Sequence, residues 1–282
     1  MNALISRDGP SLSNAEFEAV RDIIYRGTGM FFGPEKVSYV SRRVLARMAE
    51  TRSDFAHYLT LLRCGSALDE LQTLINLLTV NETYFFREEY QFQCLVRGML
   101  DEVATRSPSR RIRIASLCCS TGEEPYSIAM YVLDHWAPVD AFDIEIVACD
   151  IDSEVLAHAR RGVFGERSLQ HVSGAVRQRY FTREGVDRHR VCDALRDSIV
   201  FAPVNIHNPK ALGALGRFDV VFCRNALIYF DDTSRQVAVH GIWDALNPGG
   251  FLALGHSESL NRVTSMFRLR RFPEALVYQR PE

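Results

Sequence analysis

Lysine is nearly absent: Lys36 and Lys210 are the only two in 282 residues, and arginine carries almost all the positive charge. The net charge of −2 leaves no basic excess of the kind that bulk nucleic-acid binding requires. Long apolar runs are missing as well, so no stretch reaches the length of a membrane span. The opening residues, MNALISRDGPSLSNAE, lack the apolar core of a secretion signal. A cytoplasmic protein with no membrane insertion is the expectation. The seven cysteines are scattered, with no C-x-x-C and no paired Cys/His spacing, which argues against a zinc site or a disulfide framework. No metal is expected. Neither phosphate-binding fingerprint occurs, G-x-G-x-x-G or G-K-[ST], and their absence speaks against a nicotinamide dehydrogenase and a P-loop enzyme. What is present is ordinary for a soluble globular chain, 47% hydrophobic and 24% charged, with length enough for two domains.

The most informative stretch runs from Ile112 to Leu133. Ile112, Ile114 and Leu117 form a short apolar run suited to a buried parallel strand. Ser120-Thr-Gly122 breaks the chain, and Pro125 suits the first turn of a helix, where its missing N–H costs nothing. Strand, tight turn and helix open a nucleotide-binding α/β sheet, whose ligands sit at the carboxyl ends of its strands. Here the helix mouth carries two acids, Glu123 and Glu124, which repel a pyrophosphate and attract an ammonium group. S-adenosylmethionine has such a group, together with a ribose. The plainer reading is an ordinary strand–helix turn whose acids complement the helix dipole.

Before this unit the chain reads as helices. Residues 1–12 are expected to be disordered, and residues 13–79 to form an N-terminal helical domain. Ser13-x-x-Glu16 is a capping box for a first helix, which Gly27 and Gly29 end. A second helix begins near Pro34, and Ser53 can cap a third that stops at Gly65. A fourth starts at Ser66. On the second helix Lys36, Arg42, Arg43 and Arg47 make a basic stripe, either a solvated face or a dock for an acidic partner. Residues 80–100 read as a linker and connecting helix, and Asn81, Thr83 and Arg87 stand there among bulky apolar residues as at a ligand-lining hinge. Phe85, Phe86 and Phe92 read equally well as packing.

Residues 101–282 read as the α/β domain, with a small antiparallel insertion at about 178–200 that includes Ser198-Ile-Val-Phe-Ala202 before the chain rejoins the sheet. Asp150 ends the second strand, about 28 residues past Gly122, where such folds grip ribose hydroxyls. The alternative leaves Asp150 solvated and Asp152 capping the next helix. Later strands end at Asn205-Ile206 and at Cys223, followed by Arg224-Asn225. A turn at Asn247–Gly250 precedes a strand at 251–254, and the last strand is 275–278.

Five ordered motifs carry a family resemblance: Asn81-Glu-Thr-Tyr-Phe-Phe-Arg-Glu88, Ser120-Thr-Gly-Glu-Glu-Pro-Tyr-Ser127, Ala148-Cys-Asp-Ile-Asp152, Phe222-Cys-Arg-Asn-Ala-Leu-Ile-Tyr-Phe230 and Pro248-Gly-Gly-Phe-Leu-Ala-Leu-Gly-His-Ser-Glu258. From about residue 13 onward the chain closely resembles the CheR family, the chemotaxis-receptor glutamate methyltransferases. The resemblance implies a Rossmann-like class I methyltransferase sheet with an N-terminal all-α domain and a small inserted antiparallel β-subdomain. It implies S-adenosylmethionine as cofactor, S-adenosylhomocysteine as product, and cofactor contacts at Asn81, Thr83, Arg87, Glu123, Asp150, Asn205, Ile206, Arg224 and Asn225. Glu123 suits the methionine ammonium, Asp150 the ribose, and Asn205-Ile206 the adenine. Arg87 suits either the methionine carboxylate or the incoming glutamate, and Tyr229 is placed near the transferring methyl. The implied partner is the cytoplasmic helical bundle of chemoreceptors, with recruitment to membrane receptor arrays.

Three rivals compete with that reading. An amino-methyltransferase of DNA wants an Asn/Asp-Pro-Pro-aromatic loop where this chain has Arg224-Asn-Ala-Leu227. A dehydrogenase wants the missing glycine fingerprint. A non-catalytic S-adenosylmethionine-binding signalling module keeps the crevice and loses the substrate side, but Arg87 and Tyr229 are present. Some family members tether to a pentapeptide at the receptor C-terminus through a glycine-rich hairpin loop. The corresponding stretch here, 181–190, has Gly185 as its only glycine, so tight pentapeptide binding is not expected. The chain is expected to be a monomer.

Overall fold

The computed structural model describes residues 11–64 and 68–282. They divide into two compact units, the first reaching Val80 and including Tyr229–Asp231, the second made of Asn81–Ile228 and Asp232–Glu282.

The first unit is helical. In α1 (Asn14–Thr28) Ser13 Oγ accepts the Glu16 N–H while Glu16 Oε2 accepts the Ser13 N–H at 2.8 Å, satisfying two donors that the first turn would orphan. Phe17, Val20 and Ile24 are its buried face. Gly27 stays helical, and Gly29, at φ 78°, ends the helix. Of the stretch expected to be disordered, residues 1–10 lie outside the described residues. Leu12 is buried and its N–H donates to Ser41 Oγ at 3.1 Å, so the last part of that stretch is anchored. After a 3₁₀ turn at Pro34–Lys36 come α2 (Val37–Thr51), α3 (Phe55–Arg63) and α4 (Leu68–Leu78). The cap of α3 is Asp54 rather than Ser53, since Asp54 Oδ1 accepts the His57 N–H at 2.8 Å. Gly65 and Ser66, expected to divide α3 from α4, lie outside the described residues.

Packing divides the basic stripe that runs from Lys36 along α2. Arg47 donates to both oxygens of the buried Glu70 at 3.0 and 2.6 Å, and Glu70 also accepts from the Tyr58 hydroxyl at 2.8 Å. Arg43 lies over the Tyr39 ring at 3.5 Å and donates to the Leu77 carbonyl. Only Lys36 and Arg42 of the four are fully exposed.

The second unit opens with α5 (Tyr90–Cys94), which runs through a π-type turn at Leu95–Met99 into α6 (Leu100–Thr105). There follow β1 (Arg111–Leu117), α7 (Glu123–His135), β2 (Asp143–Asp150), α8 (Ser153–Arg161), β3 (Val163–Gly165) and α9 (Gly174–Tyr180). Then come β4 (Phe181–Arg183), β5 (Arg188–Val191), α10 (Asp193–Ser198), β6 (Ile199–Pro203), α11 (Pro209–Gly213) and β7 (Phe218–Cys223). The chain closes with α12 (Asp232–Ala245), β8 (Leu246–Leu254), β9 (Arg268–Arg271) and β10 (Leu276–Gln279).

The main sheet has seven strands in the order β6-β2-β1-β7-β8-β10-β9, parallel from β6 to β8, with β10 antiparallel to both its neighbours. Ile112, Ile114, Ile146, Val220, Phe222 and Phe251 are buried in it, as strands covered on both faces require. Phe92 of α5 stacks on Phe222 with ring centroids 5.9 Å apart, and a ring so fully buried contributes roughly 2–3 kcal/mol. A second sheet, β3-β5-β4, is antiparallel. The insertion thus begins at Val163, earlier than expected. Ile199–Pro203 instead pairs in parallel with β2 as an edge of the main sheet. The expected turn at Asn247–Gly250 is an irregularity inside β8.

Strand order reverses at β1: β2 and β6 lie to one side of it, β7 and β8 to the other. Leu117 is in register with Cys149 on β2 and Cys223 on β7, so three strands end level and their loops meet at one crevice. In open α/β sheets ligands bind at such a switch point.

Candidate active site

The turn after β1 is tight. Cys118, Ser120 and Gly122 all have positive φ, at 56°, 51° and 98°. Only at Gly122 is glycine sterically required, because a Cβ there would come 2.8 Å from the Ala159 Cβ of α8. The sharp turn aims the Ser120 N–H at Asp150 Oδ2, 2.8 Å away, while Asp150 Oδ1 accepts the Asp152 N–H at 2.9 Å. Asp152 also caps α8 through its Oδ1. Its other oxygen accepts from Asn81 Nδ2 at 3.0 Å, and Asn81 Oδ1 accepts from Ser120 Oγ at 3.3 Å. Asn81 and Asp150, far apart in the chain, therefore share one network. Asp152 caps α8, as the alternative reading has it, but Asp150 is buried rather than solvated. Burial pushes the Asp150 carboxyl up to about 6, against the backbone donors from Asp152 and Ser120.

Glu123, at the first position of α7, is 2% exposed. Its Oε2 accepts from Thr121 Oγ1 at 2.6 Å and its Oε1 from Ser168 Oγ at 2.8 Å. Among the described residues no cationic side chain pairs with it, and burial raises its pKa. A buried carboxylate with hydroxyl donors and no countercharge is chemically suited to an incoming ammonium.

Glu124 turns the other way. With Glu88 it brackets Arg224, at 3.0 and 3.3 Å, and Ser116 Oγ donates to its second oxygen at 2.7 Å. Burial raises Glu124 despite Arg224. For Glu88 burial pulls upward too, but Arg224 and the bonds with His256 bring it below the ordinary carboxylate range. Arg224 also donates to the Arg87 carbonyl and lies over the Phe92 ring at 5.4 Å. Its guanidinium is thus engaged by protein groups, and Nε alone, among the described residues, has no acceptor.

Arg87 donates to the Glu82 carbonyl at 2.6 Å and is only partly buried. Asn225, at φ 56°, has its N–H held by Glu258 Oε2 at 2.7 Å. The same carboxylate takes the N–H groups of Gly255 and Leu227 at 2.9 and 2.8 Å, tying the loops after β7 and β8 together. Asn205 follows β6 and accepts the His207 N–H at 2.9 Å, and Ile206 is buried. Thr83 lies in the partly buried loop before α5. Tyr229 ends the 3₁₀ turn Leu227–Tyr229 and belongs to the first unit, where its carbonyl accepts the Phe31 N–H at 3.0 Å.

Sequence reasoning passed over Ser120, Ser168, Glu88 and Glu258. The first two are hydroxyls whose partners are fixed by tertiary folding. Ser120, Glu88 and Glu258 stand inside the quoted motifs, which is the available signal, and only Ser168 lies outside them.

A sheet parallel from β6 to β8 with β10 antiparallel at its far side, together with an all-helical unit and a small antiparallel sheet, is the fold of a class I methyltransferase. A family model for the SAM-binding domain of CheR methyltransferase matches residues 81–276, and one for the CheR all-alpha domain matches 15–79. Chemotaxis protein methyltransferase 2 of Vibrio cholerae is 43% identical over 271 residues, covering 96% of this chain and 94% of that protein. The chemotaxis protein methyltransferase of Escherichia coli is 37% identical over 265 residues, covering 92% and 90%. Chemotaxis protein methyltransferase Cher2 of Pseudomonas putida is 30% identical over 275 residues, covering 95% and 99%. The chain belongs to the CheR family of chemotaxis protein-glutamate O-methyltransferases.

Proposed function

We propose that this chain methylates glutamate side chains of chemoreceptor cytoplasmic helices, with Glu123, Asp150, Asn205, Ile206, Asn81, Thr83, Arg87, Arg224 and Asn225 forming the cofactor site and Arg87 and Tyr229 acting at the reacting groups. The single observation that carries the assignment of the site is Glu123, a buried carboxylate held by two hydroxyls and lacking a cationic partner among the described residues. When bound, S-adenosylmethionine supplies an electrophilic methyl on a sulfonium.

The chain's own residues bind, orient and keep water out. Glu123 takes the ammonium and Asp150 the ribose hydroxyls. Asn205 reads the edge of the adenine, while Ile206 covers its face. Asn81 holds Asp152 and Ser120 and so keeps Asp150 aimed. Arg224, bracketed by two glutamates, fixes the backbone of Arg87, so its role is to shape the site. Arg87 draws in a carboxylate. The substrate glutamate is already ionised at neutral pH, so no side chain of the enzyme has to take its proton. Transfer of the methyl to that carboxylate would turn an anion and a sulfonium cation into a neutral ester and a neutral thioether, and a dry site would favour that loss of charge over water. Positioning and desolvation then supply the acceleration, with roughly 7–11 kcal/mol available to well-oriented reactants.

Among the described residues no helix is long and apolar enough to cross a membrane. Cytoplasmic residence and recruitment to receptor arrays belong to the reading on the strength of the family. Receptor docking falls to the exposed Lys36, just before α2, and Arg42 on it, because Arg43 and Arg47 are engaged within their own unit. A monomer without tight pentapeptide binding completes the proposal. The direct experiment is transfer of tritiated methyl from S-adenosylmethionine to receptor. Volatile, base-labile counts mark an ester. Base-stable counts would mean amine methylation and would overturn the assignment.

A further inference from the structure

The loop between β3 and α9 leaves the antiparallel sheet and lies along the Asn81–Glu88 segment. Arg167 Nη2 is 2.7 and 2.8 Å from the two oxygens of Glu82. The Ser168 carbonyl accepts the Phe85 N–H at 3.0 Å, and the Tyr84 and His171 rings meet at a centroid distance of 5.0 Å. From this clamped loop Ser168 Oγ reaches Glu123 Oε1 at 2.8 Å. None of Arg167, Ser168 and His171 belongs to the five family motifs quoted above.

We infer that Ser168 is a positioning residue for the cofactor's amino-acid end. It holds one oxygen of Glu123 while Thr121 holds the other, so the carboxylate presents its free lone pairs to the ammonium in one orientation. The two hydroxyls are not equivalent. Thr121 sits two residues from Glu123 on the same turn, whereas Ser168 comes from the inserted β-subdomain. Affinity for the amino-acid end therefore depends on the loop that joins that subdomain to the sheet. A carboxylate fixed by two donors is pre-organised, and removing one restores rotational freedom and leaves a buried oxygen unsatisfied.

The inference rests on the assignment of Glu123 to the ammonium, so the test separates the two. Calorimetric titrations compare S-adenosylhomocysteine with 5′-methylthioadenosine, which keeps the adenosine and lacks the amino acid. Ser168→Ala is expected to weaken S-adenosylhomocysteine about tenfold while leaving methylthioadenosine unchanged, and Ser168→Thr to restore binding. KM for S-adenosylmethionine should rise more than kcat falls. Equal losses for both ligands would make the loop a general support and overturn the inference. So would unchanged S-adenosylhomocysteine binding in Ser168→Ala alongside weakened binding in Glu123→Gln. Unchanged binding in Glu123→Gln overturns the ammonium assignment itself, and the role of Ser168 with it.

Discussion

Asp150 carries the clearest prediction from a single side chain. Its carboxyl is raised from an ordinary 3.8 to about 6, with burial the largest cause. For the free protein the sign is opposite to that of a salt-bridged acid. The folded chain holds its proton longer, so stability falls as pH rises between about 4 and about 6. For ribose binding the carboxylate is the competent form, so affinity falls as pH drops through about 6. S-adenosylhomocysteine should bind about tenfold more weakly at pH 5 than at pH 7. Asp150→Asn should bind weakly with no such slope; titrations at several pH values decide, and an unchanged slope removes Asp150 from the site. Arg87→Ala should lower turnover on the order of 100-fold with normal circular dichroism, while Tyr229→Phe lowers turnover with modest change in cofactor affinity. A fully active Arg87→Ala enzyme would mean that this loop only packs. Of the charged residues, Glu123, Asp150 and Arg224 were legible in the sequence because strand ends and the helix mouth advertise them, whereas Glu88 and Glu258 were not singled out. Ser120 and Ser168 were not, since a serine has no pattern of its own until a distant carboxylate is brought to it.

Among the elements, α2 shows how a stripe of like charge can be divided by packing. Arg47→Ala leaves the buried Glu70 with the Tyr58 hydroxyl but no arginine, at a cost of roughly 2 kcal/mol and a lowered Tm. Lys36→Glu with Arg42→Glu should instead leave Tm and cofactor binding unchanged and raise the receptor KM at low salt. That rise should shrink at high salt, where the Debye length is a few ångströms. Receptor kinetics unaffected at low salt would make the stripe a plain solvated face. Sequence reading succeeded for β1, β2 and β7, whose apolar runs are long and buried. It missed β9, Arg268–Arg271, because three arginines hide a strand that is held by pairing with β10 and by the Arg270–Glu102 ion pair. It misassigned β6, since a short apolar run does not tell which sheet it will join.

At the scale of the whole molecule, the question is how the enzyme reaches its receptors. The β4–β5 connection is short, Glu184 to Asp187, with the Glu184 N–H returning to the Arg188 carbonyl at 2.8 Å. Arg183 Nη2 donates to the Val186 carbonyl at 2.9 Å, and Arg190 pairs with Glu184 at 2.7 Å, so the turn's own side chains close it. A receptor C-terminal pentapeptide is therefore expected to bind only weakly. Titrating the isolated peptide checks this, and saturable low-micromolar binding lost on altering residues 182–188 would refute it. The helical unit, the sheet and the insertion were all legible from periodicity and motif order. The insertion's start at Val163 was not, because a three-residue strand is too short to show a period.

Phe86 has φ 59°, a conformation that a bulky residue adopts only under constraint, and its N–H is held by Ser127 Oγ at 3.0 Å. Glu88, Cys118, Ser120 and Asn225 share that half of the φ range. Strain of about 1–3 kcal/mol at such positions is stored rather than relaxed. At Phe86 glycine would lose a ring packed on Phe92 and Tyr131, which costs more than the strain returns. At Cys118 it would release part of the strain, so selection for heat resistance alone would favour glycine there. The crevice it left behind would be looser, and the trade between robustness and turnover would be written first in these five residues.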